Sequence, residues 1–116
     1  MRITRATSDL GSAERRGQRD PMDLVFEWDE EKAGRNEAKH GVTFEEARTV
    51  FNDPFAMTVS DPAHSELEDR WLEVGLSHKG RLLVVWYTER RECVRIIGCR
   101  EATRVERKGY EHGQTA

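Results

Sequence analysis

Residues 81–100 read RLLVVWYTERRECVRIIGCR, and this stretch decides the fold. It opens on a continuous apolar run from Leu82 to Tyr87, typical of a strand covered on both faces. Glu89 to Glu92 is a charged turn, and a second β-rich run spans Cys93 to Arg100. Upstream, Arg70 to Ser77 alternates, with Leu72, Val74 and Leu76 on one face, and His78-Lys79-Gly80 supplies a turn. Connections this short predict an antiparallel meander. A fourth strand candidate covers residues 56–60, separated from the meander by an acidic, polar loop over 61–69.

Before these strands the periodicity changes. Leu24 to Trp28 reads as a short strand. Asp29 can cap a helix with Glu30 and Glu31 in its first turn, where the helix dipole favours acid. That helix runs to about His40 and ends at Gly41. Lys32, Asn36, Lys39 and His40 share one of its faces. Thr43 and Glu46 form a capping box for a second helix, stopped by Asp53-Pro54, with Phe44, Ala47 and Phe51 on its buried stripe. Thr103 and Glu106 form another, opening a last helix to about Glu111. Only Ala102, Val105 and Tyr110 are available to anchor it. The order is β-α-α-β-β-β-β-α, an α+β domain with helices on one face of a small sheet.

The 116 residues fit one domain, over residues 22–112. Residues 1–21 lack apolar periodicity and read as a flexible extension, with Met22 a plausible start; 113–116 should fray. No apolar run is long enough to cross a membrane, and residues 1–22 do not form a secretory signal, so a cytoplasmic protein is expected. Charge is uneven. Residues 23–77 hold 14 acidic and 5 basic side chains, whereas residues 78–116 hold 9 basic and 5 acidic. One surface should therefore be basic, and suited to nucleic acid, and another acidic. Cys93 and Cys99 lie an even number of residues apart, which predicts one shared face and buried free thiols. Neither they nor His40, His64, His78 and His112 have metal-ligand spacing, so no metal or cofactor is expected.

What remains is a set of cations in the sheet region: Arg70, Arg81, Arg95 and Arg100, with Tyr87 nearby. Arg95 alternates with residues that should be buried, so it needs a partner or faces a groove. A cross-strand pair with Glu68 or Glu73, or a stem that covers the sheet, would also explain it. Arg95 and Arg100 are five apart and face opposite sides of a regular strand, unless a bulge intervenes; Gly98 is a plausible place for one. Trp71, Trp86 and Tyr87 look like core. Such arginines suit RNA cleavage without metal, where a ribose 2′-hydroxyl attacks the adjacent phosphorus and charge grows on phosphate oxygens. Arginine's planar fork meets two such oxygens. His40, or a carboxylate such as Glu68, can move protons; His40 can equally serve as a positive group at a helix C-terminus.

The block Lys39-His40-Gly41-Val42-Thr43-Phe44-Glu45-Glu46-Ala47, followed by Arg95-Ile96-Ile97, Arg100, Ala102 and Thr103, resembles the BrnT toxins over roughly residues 24–111. The resemblance implies a RelE-like fold with a small antiparallel sheet, and an endoribonuclease toxin of a type II toxin–antitoxin pair. It implies a BrnA-type antitoxin with a ribbon-helix-helix part, two toxins on an antitoxin dimer, and binding of the pair to its own promoter DNA. It places the catalytic set on His40, Arg70, Arg81, Tyr87, Arg95 and Arg100, and RNA contacts on Lys32, Lys39 and Arg90. One departure is Gly98, where the family usually has serine. That change leaves room for an alternative: a catalytically silent module that acts with the antitoxin in autoregulation.

Overall fold

A computed structural model describes residues 3–5, 24–64 and 68–114. Its elements are β1 (Ile3–Arg5), β2 (Val25–Asp29), α1 (Glu30–His40), α2 (Phe44–Thr49), a 3-10 turn (Val50–Asn52) and β3 (Met57–Ser60). A second 3-10 turn (Pro62–His64) precedes β4 (Arg70–Leu76), β5 (Leu82–Arg90), β6 (Cys93–Glu101) and α3 (Arg104–Gln114). The described strands form one sheet in the order β1-β2-β6-β5-β4-β3. From Val25 onward the chain order is β-α-α-β-β-β-β-α, preceded by β1. Ile3–Arg5 lies inside the stretch expected to be irregular and pairs antiparallel with β2. The rest of residues 1–21 lies outside the described residues. At the other end the last helix extends through Gln114, two residues into the stretch expected to fray.

The meander β3-β4-β5-β6 is antiparallel throughout. The sheet as a whole is mixed, because β2 pairs parallel with β6, Val25 opposite Cys93 and Glu27 opposite Arg95. An all-antiparallel sheet was the expectation. Sequence shows which neighbours short turns join, but a pairing across nearly seventy residues leaves no local signal.

Phe26, Trp28, Val42, Phe44, Ala47, Val50, Leu83, Val85, Tyr87, Val94, Ile96 and Cys99 form the main core between the sheet and α1 and α2. Val74, Leu82, Val84 and Tyr110 form a second cluster on the opposite face, where α3 lies. The helices therefore cover both faces, not one. The apolar run of β5 is the physical reason: Leu83, Val85 and Tyr87 are buried on one side, Leu82 and Val84 on the other.

α1 is capped at both ends. Asp29 accepts from the Glu31 amide at 2.8 Å, and Gly41 closes the helix with a left-handed φ of 70°. No residue of α1 is fully buried. In α2 the Thr43 hydroxyl caps the Glu46 amide at 3.0 Å. The Glu46 carboxylate is engaged elsewhere, with Ser77 and Arg81, so the box closes on one side only. In α3 the box is reciprocal: Thr103 donates its amide to Glu106, and its hydroxyl accepts from the Glu106 amide.

Of the expected anchors of α3, Tyr110 is buried against Val74, Leu82 and Val84 and Ala102 packs on the same cluster, while Val105 is 78% exposed and polar contacts add to the rest. Arg100 holds Glu106 through two hydrogen bonds of 2.8 and 2.9 Å. The Tyr110 hydroxyl donates to Asp53 Oδ2 at 2.7 Å. Asp53 also accepts the Leu76 amide at 2.8 Å, so the tip of α3 is tied to the edge of β4. Tyr110→Phe is expected to cost about 1 kcal/mol of stability and to speed amide hydrogen exchange along 104–114. Unchanged exchange there would show that the tyrosine bond does not hold the helix.

Candidate active site on the sheet

β6 carries one extra residue opposite β5. Trp86 pairs with Gly98 and Tyr87 with Ile96, which leaves Ile97 as a bulge. A bulge reverses the side-chain alternation beyond it. Cys99 consequently points into the main core and Arg100 to the α3 side, the side on which Arg95 also lies. Cys93 and Cys99, expected on one face, therefore lie on opposite faces. Burial raises the Cys99 thiol to about 12, despite a hydrogen bond from Asn36, so it is inert as a nucleophile.

The strand register builds a row across the α3-side face. Arg70 of β4 stands opposite Thr88 of β5, Thr88 opposite Arg95 of β6, and Arg95 opposite Glu27 of β2. Neighbouring strands lie roughly 4.8 Å apart, so Arg70 and Arg95 stand two strands apart, with the buried Thr88 between them. Arg95 Nη1 lies 3.9 Å from Glu27 Oε2, and both side chains are largely buried, at 17% and 13% exposure. Its ion-pair neighbour is thus Glu27; of the two considered from sequence, Glu68 is near enough for the Arg95 charge to act on it, and Glu73 pairs with Thr58 and Tyr87 instead. Glu68 and Arg90 lie beside the row. Arg90 donates to Glu68 at 2.8 Å through Nη2 and at 3.2 Å through Nε. That bond holds the Glu68 carboxyl below its ordinary range against the opposing effect of burial, and Thr88 and the Arg95 charge act in the same direction. Glu68 is therefore held as a carboxylate.

Beyond the row, towards α3, come Trp86 and Gly98, then Arg100. Trp86 is half-buried rather than core, and the Arg100 guanidinium stacks 4.9 Å from its ring centroid. Arg100 is committed to Glu106, whose carboxyl its hydrogen bonds pull down to about 2. Its position makes it the anchor of α3 at the border of the row.

Other candidates lie apart. Tyr87 faces the main core, where it packs edge-on against Phe51 and donates to Glu73 at 3.2 Å; Thr58 donates to the same oxygen at 2.8 Å. Burial pushes the Tyr87 phenol up and raises the Glu73 carboxyl. Arg81 sits at the β4–β5 turn. Its guanidinium forms hydrogen bonds with both oxygens of buried Glu46, with Glu101 at 3.1 Å and with the Gly41 carbonyl at 3.1 Å. Lys32, Lys39 and His40 line a separate groove of about 350 Å³ with Arg35, Asn36 and the bulged Ile97. Sequence reading missed Glu27 and Thr88. Only the register reveals them, because an exposed-looking glutamate and a strand threonine carry no signature. Among the described residues no three His, Cys, Asp or Glu side chains are grouped as metal ligands would be, and no helix is long and apolar enough to cross a membrane.

The chain is thus a small α+β domain with Arg70 and Arg95 in one row across the sheet and Glu27 beside Arg95, and guanidinium groups are the side chains that meet phosphate oxygens in pairs. Residues 28–106 match the family model described as "Ribonuclease toxin, BrnT, of type II toxin-antitoxin system", and the chain belongs to that family. It is thus a BrnT-family ribonuclease toxin, a family whose type II pairing implies an antitoxin partner and an RNA substrate. The crystal structure of the Brucella abortus ribonuclease toxin BrnT is similar in fold, with 24% identity and a TM-score of 0.53 over 66% of this chain and 94% of that one. No curated protein matches the sequence.

Proposed function

We propose that this protein is a metal-independent endoribonuclease with a RelE-like fold, and that it arrests growth by cutting RNA in the cytoplasm. The row Arg70-Thr88-Arg95-Glu27 carries this reading. A phosphodiester laid across it meets two guanidinium forks where negative charge develops. The 2′-hydroxyl attacks phosphorus, the bond to the 5′-oxygen breaks, and a 2′,3′-cyclic phosphate and a 5′-hydroxyl result. Glu68, a carboxylate adjoining the row, takes the 2′ proton, and the leaving 5′-oxygen takes a proton from solvent water. Lys32, Lys39 and His40 hold the flanking strand on α1. Arg90 orients Glu68. Arg81 and Tyr87 support the domain from their own networks.

The neutralising partner is a BrnA-type ribbon-helix-helix antitoxin. Two toxins on an antitoxin dimer bind the promoter DNA. Induction of the full chain, with and without such an antitoxin, should give growth arrest with new RNA 5′ ends, both reversed by the antitoxin. Cleavage by purified protein should persist in a chelator. Intact RNA in cells that contain folded protein would remove the enzyme reading.

One observation favours a second reading, a silent module in autoregulation. Gly98 adjoins the row where the family usually has a serine hydroxyl. A Cβ built there meets Asn36 Oδ1 at 3.6 Å and Trp86 at 3.8 Å, ordinary contact distances, so serine fits. If the chain does not cut RNA, Gly98→Ser should restore cleavage.

A further inference from the structure

β6 has β2 as its outer neighbour only over Cys93 to Arg95. Past the bulge its outer backbone groups lack that strand, yet Cys99 is fully buried. A buried peptide group without a partner is costly, so something must replace the strand. The replacement is one side chain. Asn36, near the middle of α1, accepts the Cys99 amide at 3.1 Å through Oδ1. Its Nδ2 donates to the Cys99 carbonyl at 2.9 Å and to the Val42 carbonyl at 3.0 Å. A carboxamide carries donor and acceptor together, as a peptide does, so it can satisfy both groups of one residue.

This contact lies two residues after Ile97. The bulge decides which side Arg100 occupies, and Arg100 in turn holds α3 through Glu106 at the border of the arginine row. The same carboxamide fixes α1, and with it the Lys32, Lys39 and His40 groove, against that edge. We propose that Asn36 is a positioning residue for RNA cleavage: it stands in for the missing strand at Cys99, holds the bulge, and so sets the α1 cations and Arg100 relative to Arg95.

The proposal rests on the ribonuclease reading, and its test separates the two. Asn36→Ala removes all three of these bonds; Asn36→Asp keeps the acceptor for the Cys99 amide but sets an anion against two carbonyls. Cleavage of a defined RNA is measured on the folded fraction of each. Both should lose roughly 10–100-fold in kcat, as misplacement of about an ångström does, with a smaller change in KM. In an Arg100→Ala background the further loss from Asn36→Ala should shrink several-fold, because Arg100 is one route of its effect. A residue needed only for stability would lower Tm and leave kcat unchanged in the folded fraction. That result, or full additivity with Arg100→Ala, overturns the proposal. Where Asn36→Ala does not fold, Asn36→Asp decides. If the wild-type chain cuts no RNA, the ribonuclease reading fails by itself. Affinity for a 2′-O-methyl RNA then becomes the readout, and equal affinity of wild type and both variants removes the role of Asn36.

Discussion

Arg81→Ala is expected to lower stability by about 3–5 kcal/mol, while the folded variant keeps its activity on RNA. Glu46 is 1% exposed and its carboxylate is held by Arg81 and by Ser77, whose hydroxyl donates at 2.7 Å. Deleting the guanidinium leaves a buried charge with one neutral partner, the costly way to break such a pair. A loss of that size is a large part of the stability of an ordinary domain. The sign with pH follows from Glu46. Its folded-state pKa is lowered, first by the Arg81 hydrogen bond against the opposing burial. The pair's contribution is therefore present above the unfolded glutamate value and fades as pH falls through the folded one. Urea unfolding at about pH 7 and about pH 4 should show wild type losing more stability on acidification than Arg81→Ala does. A variant that is stable but inactive would return Arg81 to the catalytic set.

Arg95→Ala should have the opposite profile, with cleavage reduced on the order of 10²–10³-fold and a smaller loss of stability. Arg95 lies in the middle of the row, between Thr88 and Glu27, and its carboxylate neighbour is 3.9 Å away, longer than a close pair. In cells the variant should no longer arrest growth, yet should still be captured by the antitoxin. Arg95→Lys should recover little, because a point charge does not replace a planar fork on two oxygens. Undiminished cleavage by folded Arg95→Ala would move the reaction away from this face.

Much of the architecture was legible because it is written in local patterns. The alternation in β4, the apolar run of β5, the caps at Asp29, Thr43 and Thr103 and the stop at Gly41 each act within a few residues. The unbroken run in β5 also signalled cover on both faces; reading all helices onto one face ignored it. Of the α3 anchors, the Thr103–Glu106 box and the apolar contacts of Ala102 and Tyr110 were readable. Arg100–Glu106 and Tyr110–Asp53 needed the fold, since the second pair spans 57 positions.

The sequence by itself determined the family, the strands and helices from Val25 onward, and the presence of unusual arginines in a strand. It also marked where a bulge was plausible, near Gly98. The tertiary structure decided which of those arginines share a face of the sheet. A single extra residue at Ile97 reverses every side chain after it, so Arg100 joins Arg95 and Cys99 turns inward. Parallel pairing of β2 with β6 brings Glu27 to Arg95, and burial removes Tyr87 and Arg81 into networks of their own. Helix and turn signals are short-range interactions within the chain, whereas register and facing are settled only when distant strands choose partners, and that choice depends on the whole core.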